Sequence, residues 1–499
     1  MPQNQSTTLS VDPRRVAPPQ NANTLPVAHA GGRWISARAD DSRQWIERRN
    51  PALWDQTLSR IPTAGPAELD AACGAAQAAF ERWRNVTPAQ RVVILQSWAD
   101  ALQSEADELA RSIAQEIGKP IRDARAEVNQ AAALIRAASA RTPELFPAAA
   151  ESGAKIMHQP HGVVALITPW NNPVAIAVGK IAPALAMGNA VVWKPAMHAP
   201  RTAMRVLDLL VGAGVPSGAV NLVFGEAATA EALIEHSAVR AVSLTGSGPT
   251  GRSAASRCLR RNIPLQAELG GNNAAIVMAD YDFVPVIRQL VLGSFSFCGQ
   301  RCTAIRRWIV QREVMDDFRR LFVAAVASLK SGDPLDEMTE LGPLVSREHR
   351  DRIIAAVAQA KNDGASVLCG GEVPADRGRG CWLNPIVLDH VEPDHWIAQS
   401  ETFGPVASLL AADDLDHALR IANNVEHGLV AAMYTNIAEH RQRFIQTIQA
   451  GILQFDPGPI PVCPHAPFGG WKASGIGLPE HGAWDSAFYA RPQAIYGSA

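Results

Sequence analysis

Short β-branched apolar runs, alternating with segments long enough for a helix, constrain this chain more than any other feature. "VVALIT" (163–168), "AVVWKP" (190–195), "AVNLVFG" (219–225) and "AVRAVSLTG" (238–246) repeat the pattern, and a second set begins at "NAAIVMAD" (273–280) and continues through "RRWIVQ", "ASVLCGG", "WLNPIVLDHV" and "FGPVASLLAADD". Strands that are apolar on both faces belong in parallel sheets covered by helices on each side. Two doubly wound α/β halves joined near Gly270 are therefore expected. Between Pro66 and about Ala140, alanine-rich sequence with apolar residues at three- and four-residue spacings predicts a group of amphipathic helices. The tail "AFYARPQAIYG" alternates without room for a core of its own and is expected to pair with another strand, on a partner subunit if not on this one.

Composition narrows the partners. With 46 basic against 48 acidic residues and no basic run, the chain lacks the electrostatic footprint of a nucleic-acid binder. The most apolar stretches are broken by Pro, Gly, Asn or Lys before they reach the roughly twenty residues of a membrane span. Seven scattered cysteines, an odd number, suit thiols in a reducing compartment, so a cytoplasmic protein is expected. The polar, proline-bearing start (1–28) reads as a flexible extension and not as a secretory signal.

Three stretches could carry chemistry. In "SLTGSGPTG", Gly246, Gly248 and Gly251 have the Gly-x-Gly-x-x-Gly spacing that lets a phosphate approach backbone N–H groups at a helix start, and a plain glycine turn fits equally well. In "AELGGNNAAIV", Glu268 stands before two glycines, as either a capping or paired carboxylate or a general base. In "SFSFCGQRCTAIRR", Cys298 and Cys302 lie four residues apart, open to core packing, a redox pair or a nucleophilic thiol favoured by Arg301. No His or Asp cluster accompanies them, so no metal is expected.

Taken in order, "TPWNNP", "AMGNAVVWKPA", "LTGS", "ELGGNN", "GQRCTA", "ETFGPV", "NNVEHGL" and "PFGGWKASGIG" resemble the NAD(P)-dependent aldehyde dehydrogenase superfamily over nearly the whole chain from about Gly32. The resemblance implies a Rossmann-like cofactor domain (29–140 and 161–270), a catalytic domain (271–460) and a β oligomerisation arm (141–160 and 475–499), in a homodimer or homotetramer. It implies a small-molecule aldehyde substrate and NAD or NADP as cofactor. Cys302 becomes the nucleophile that forms a thiohemiacetal and then a thioester, Asn171 the oxyanion donor, and Glu268 the base that activates water. Cofactor contacts are implied for Ile167, Thr168, Pro169, Trp170, Lys194, Met197, Gly225, Gly246, Ser247, Leu269, Glu401 and Phe403.

Departures from the family pattern carry information of their own. Met197 stands where NAD-preferring members often have a ribose-binding glutamate, which leaves NADP possible, with His198 or Arg201 near a 2'-phosphate. Ala227 replaces a frequent glycine. "GLPEHG" puts Pro479 at the usual glutamate position and Glu480 one later, so no proton-relay role is assigned to Glu480. Asn172, Ala175, Ile176 and Gly179 imply a wider or more polar tunnel. "ELGGNN" and "GQRCT" are closest to dehydrogenases of amino-acid semialdehydes, and Arg301 or Arg307 could hold a distal carboxylate. Cys298 is expected to line the tunnel, dispensable but able to form a disulfide with Cys302. Two rival readings remain: a coenzyme-A-acylating enzyme, and a catalytically silent scaffold with the same fold.

Overall fold

The computed structural model describes residues 24–37, 43–142, 148–149 and 154–496. The first half is built on an eight-stranded sheet with a parallel centre, Val220–Val223, Ala190–Pro195, Val163–Thr168, Val239–Thr245 and Leu265–Glu268 in spatial order, flanked by antiparallel edge strands. Period-two alternation divides its side chains between two layers. Val164, Leu166, Val191 and Trp193 pack with the helices Pro88–Ser104, Ala106–Ile117, Ile121–Ala140 and Ala175–Ala186. Val163, Ala165, Ala190 and Val192 pack with Pro66–Trp83, Ala227–Glu235 and Gly248–Arg261. Local signals set the helix limits: Thr87 accepts from Gln90 N while Gln90 reaches back to Thr87 N, with Pro88 in the first turn.

The second half holds a seven-stranded sheet ordered Ser366–Cys369, Ile386–Asp389, Val406–Ala412, Ile305–Gln311, Asn273–Val277, Val430–Tyr434 and Ile452–Gln454, parallel except at the first strand. Its core is aromatic, with Trp308 within 5.6 Å of the Phe318 and Phe322 rings.

Two expected boundaries shift. The extension was expected to run to residue 28, but Val27 and Ala28 are fully buried and Ala28–Ala30 is a strand of the first sheet; the earlier part, 1–23, lies outside the described residues. An arm starting at 475 is also too long. Gly475–Ile476 closes the first sheet beside Leu265–Glu268, and Phe488, Tyr489 and Ala490 complete its helical core. Among the described residues after 475, Ala490–Ile495 forms a strand outside that sheet, pairing antiparallel with Lys155–Pro160 of its own chain, which in turn pairs with Ala148–Ala149.

Candidate active site

The ends of two elements from opposite halves meet in the crevice beyond the carboxyl ends of the first sheet, where doubly wound folds hold ligands. Glu268 is the last residue of a parallel strand, and its carbonyl accepts from Gly246 N at 3.0 Å. Cys302 follows the helix Ile287–Phe295 through a turn in which Phe297, Cys298 and Gly299 all have left-handed backbone (φ 51°, 52° and 65°). Gly299 is required there, because a Cβ would collide with the Gly404 carbonyl.

The turn is pinned by buried polar groups. Asn273 Nδ2 donates to the carbonyls of Cys302 (2.7 Å) and Ala304 (2.8 Å). The Arg306 guanidinium donates to the carbonyls of Gly271, Ala304, Gly299 and Arg301 and pairs with Glu401 at 3.3 Å. Neither residue had been singled out from the sequence. A charge in an apolar-looking strand start was the available signal, since a buried arginine needs acceptors.

Two cavities share Cys302 as a wall. One, of about 470 Å³, is lined by Pro169, Trp170, Asn171, Gly246, Ser247, Leu269, His349, Arg352, Glu401 and Phe403 among others. The other, of about 330 Å³, is lined by Glu268, Asp123, Phe297, Arg301, Ile460, Phe468 and Glu480 among others. Of the residues expected to contact the cofactor, Ile167, Thr168, Lys194, Met197 and Gly225 lie outside the first lining. Thr168 Oγ1 accepts from Trp193 Nε1, Lys194 is buried with its pKa lowered to about 8, and Met197 packs into the helical core. Arg201 turns away from the cleft to the Leu58 carbonyl, whereas His198 faces it, 5.7 Å from the Trp170 ring.

The first cavity suits a dinucleotide. Its glycine turn opens a fourteen-residue helix whose free N–H groups favour phosphate. Glu401, held by Gly271 N and Arg306, offers a carboxylate for ribose hydroxyls, and Phe403 with Trp170 gives an aromatic wall. Buried Thr402 Oγ1 and His198 Nδ1 have no hydrogen-bond partner among the described residues.

Electrostatics oppose charge at the reacting groups. Burial, followed by the carboxylates Glu401 and Glu268, pushes the Cys302 thiol up to about 12; Arg306 and Arg301 pull the other way and lose. Arg301 thus does not deliver the thiolate expected of it. Glu268 is raised well above the usual carboxylate range by burial and then by Glu480, against Lys180, while its Oε2 accepts from Gly470 N at 3.2 Å.

Several further expectations are corrected. Glu480 does reach the site: its carboxylate pairs with buried Lys180, whose Nζ also donates to Ser243 Oγ at 2.9 Å, and backbone bonds to Phe468 hold it in register. The motif spacing left the place of residue 480 open, because the loop with its backbone bonds to Phe468 sets where it lands. Cys298 is buried in the core with its Sγ donating to the Gly342 carbonyl, so it lines neither cavity. The left-handed turn turns it away from the side that a helix would present. Arg307 holds no substrate group, since it donates to the carbonyls of Asn272, Ile421 and Ala422. Nor does Gly179 widen the tunnel, because the His481 ring occupies that space.

Comparison with known proteins gives the same picture from outside. The aldehyde dehydrogenase family matches residues 35–495. The α-ketoglutaric semialdehyde dehydrogenase of Bacillus subtilis is 32% identical over 474 residues, covering 93% of this chain and 96% of the relative. The NADP-dependent succinate-semialdehyde dehydrogenase of Escherichia coli is 34% identical over 452 residues, 89% and 92% of the two chains. The crystal structure of betaine aldehyde dehydrogenase from Staphylococcus aureus in complex with NAD+ superposes with a TM-score of 0.89 at 29% identity, over 94% of each chain. Fold and matches together make this chain a dinucleotide-dependent oxidoreductase. It belongs to the aldehyde dehydrogenase family and oxidises an aldehyde to the carboxylic acid with NAD or NADP as electron acceptor.

Proposed function

We propose that Cys302, Asn171 and Glu268 carry the reaction as nucleophile, oxyanion donor and water-activating base. The position of Cys302 in the wall common to both cavities is the observation that carries this reading. An aldehyde entering from the smaller cavity meets Sγ at the floor of the larger one. The thiol gives up its proton to water in the crevice, Sγ bonds to the carbonyl carbon, and the π electron pair of the C=O bond moves onto the oxygen, which gains negative charge. The Asn171 side chain is 2% exposed, lines the cleft and has no hydrogen-bond partner among the described residues, which leaves its amide N–H for that oxygen. A bound oxidised dinucleotide would supply the hydride acceptor, and Glu401 and Phe403 in the first cavity would hold it. Loss of hydride from the thiohemiacetal carbon leaves a thioester on Cys302.

Glu268 then takes a proton from water, whose oxygen attacks the thioester carbon; the C–S bond breaks and the acid leaves. The Lys180–Glu480 pair acts on Glu268 through charge, Glu480 raising and Lys180 lowering its pKa. Glu268 on the substrate side supports hydrolysis over transfer to coenzyme A. The free cysteines suit the cytoplasm, and the strands 155–160 and 490–495 suit an arm that joins subunits in a homodimer or homotetramer.

Absorbance at 340 nm with NAD or NADP and a broad aldehyde panel tests the reading. Reduction that disappears in Cys302→Ala is expected. Full activity in that variant, or no reduction with any aldehyde, would refute it.

A further inference from the structure

Two side chains in the lining of the smaller cavity follow directly on residues assigned to the chemistry and take no part in its steps. Asn172 comes after the oxyanion donor Asn171, and Thr303 comes after Cys302. Both carry uncharged hydrogen-bonding groups.

Asn172 is held in one orientation. Lys119 Nζ lies 2.6 Å from its side-chain oxygen, and an ammonium can only donate, so Oδ1 faces the lysine and the Nδ2 hydrogens face away from it. Nδ2 donates to no acceptor among the described residues. The lysine is itself fixed. Its Nζ donates to Glu127 Oε2 at 2.5 Å, with both side chains buried, and Glu127 Oε1 accepts from Val174 N (2.8 Å) and Ala175 N (3.1 Å) where the helix Ala175–Ala186 begins. The Asn172 amide is therefore preset as a donor on the cavity wall.

Thr303 is held from both sides. Asn273 Nδ2 donates to the carbonyl before it, that of Cys302, and to the carbonyl after it, that of Ala304. Thr303 is 9% exposed, and its hydroxyl has no hydrogen-bond partner among the described residues. A hydroxyl can accept as well as donate, so the pair offers one fixed donor and one adaptable partner. Polar groups left unpaired in a cavity wall cost free energy that a matching ligand recovers. Consecutive Cα atoms are about 3.8 Å apart, which sets these two groups one residue away from the groups that hold the aldehyde carbon and oxygen.

We propose that Asn172 and Thr303 bind a hydroxyl on the carbon next to the aldehyde, so that the cavity selects 2-hydroxyaldehydes. The hydroxyl oxygen accepts from Asn172 Nδ2, and its O–H donates to Thr303 Oγ1. A plain alkyl aldehyde leaves both groups unpaired. This rests on the assignment of Cys302 and Asn171 as nucleophile and oxyanion donor.

Initial rates of the full chain with propanal, 2-methylpropanal, 3-hydroxypropanal and each enantiomer of 2-hydroxypropanal provide the test. One 2-hydroxypropanal enantiomer is expected to exceed both 2-methylpropanal, its isostere, and 3-hydroxypropanal in kcat/KM by about tenfold or more. That ratio should fall to about threefold or less in Thr303→Val, which keeps the shape and removes the hydroxyl, and in Asn172→Leu. It should persist in Thr303→Ser. A smaller preference in the unaltered protein, survival of the ratio in either Thr303→Val or Asn172→Leu, or its loss in Thr303→Ser overturns the proposal while aldehyde oxidation stands. A thermal melt identifies a variant that does not fold, and the unaltered protein and the remaining variants then decide. Failure to oxidise any of these aldehydes and of the broader panel overturns the catalytic reading itself.

Discussion

Replacing Gly270 with alanine puts a single methyl group against the residue assigned to the nicotinamide ribose. The new Cβ would overlap Glu401 Oε2 and lie 3.0 Å from its Cδ, so the carboxylate must retreat by about 1 Å. Its present place is held by Gly271 N at 3.2 Å and Arg306 at 3.3 Å. A retreat of that size breaks one or both, together with the ribose contact. A hydrogen bond to a charged group contributes about 1.5–3 kcal/mol. Loss of the ribose contact should therefore raise KM for the dinucleotide by roughly ten- to a hundredfold, while KM for aldehyde changes little because the substrate cavity does not include Glu401. Initial rates over a titration of NAD or NADP read this directly, with a thermal melt to confirm that the fold persists. An unchanged dinucleotide KM in a folded Gly270→Ala protein would refute the placement of Glu401 at the cofactor.

Four further outcomes are expected. Glu268→Gln should release about one equivalent of reduced dinucleotide per site and then turn over about 10²–10⁴ times more slowly, since only thioester hydrolysis needs the base; stopped-flow absorbance separates the two phases, and absence of the burst would mean that Glu268 acts before hydride transfer. Because burial and Glu480 raise Glu268, and its basic form grows as pH rises through the folded pKa, steady-state turnover should keep climbing with pH well above the ordinary carboxylate range, and a flat profile there would contradict this. Arg307→Met leaves the carbonyls of Asn272, Ile421 and Ala422 unsatisfied and should cost about 3 kcal/mol in urea denaturation without changing substrate selectivity, whereas a loss of selectivity alone would restore a substrate role. Cys298→Ser keeps a donor for the Gly342 carbonyl and should retain turnover; loss comparable to that in Cys302→Ala would reverse the ranking of the two thiols.

Local chemistry decided much of this protein before any folding is considered. Alternating β-branched runs require parallel sheets because only helices on both faces can bury them, and both sheets follow. The motif strings carried Cys302, Asn171 and Glu268, and all three face the shared crevice. What the tertiary structure alone decided are the facts that depend on which distant groups meet. Cys298 and Cys302 differ because three left-handed residues turn one into the core and leave the other at the cavities, a reversal that no spacing rule contains. Arg306, Arg307 and Arg301 look alike in the sequence, yet one clamps the turn that carries Cys302, one ties together distant backbone, and one, in the lining of the second cavity, donates to the carbonyls of Ser296, Leu292 and Gly293. Glu480 finds Lys180 across three hundred residues of chain. Side-chain type and periodicity are local properties, whereas burial, partner and pKa are set by three-dimensional proximity, so the sequence determined the sheets and the candidate nucleophile, and the packed structure determined which charged groups pair with one another.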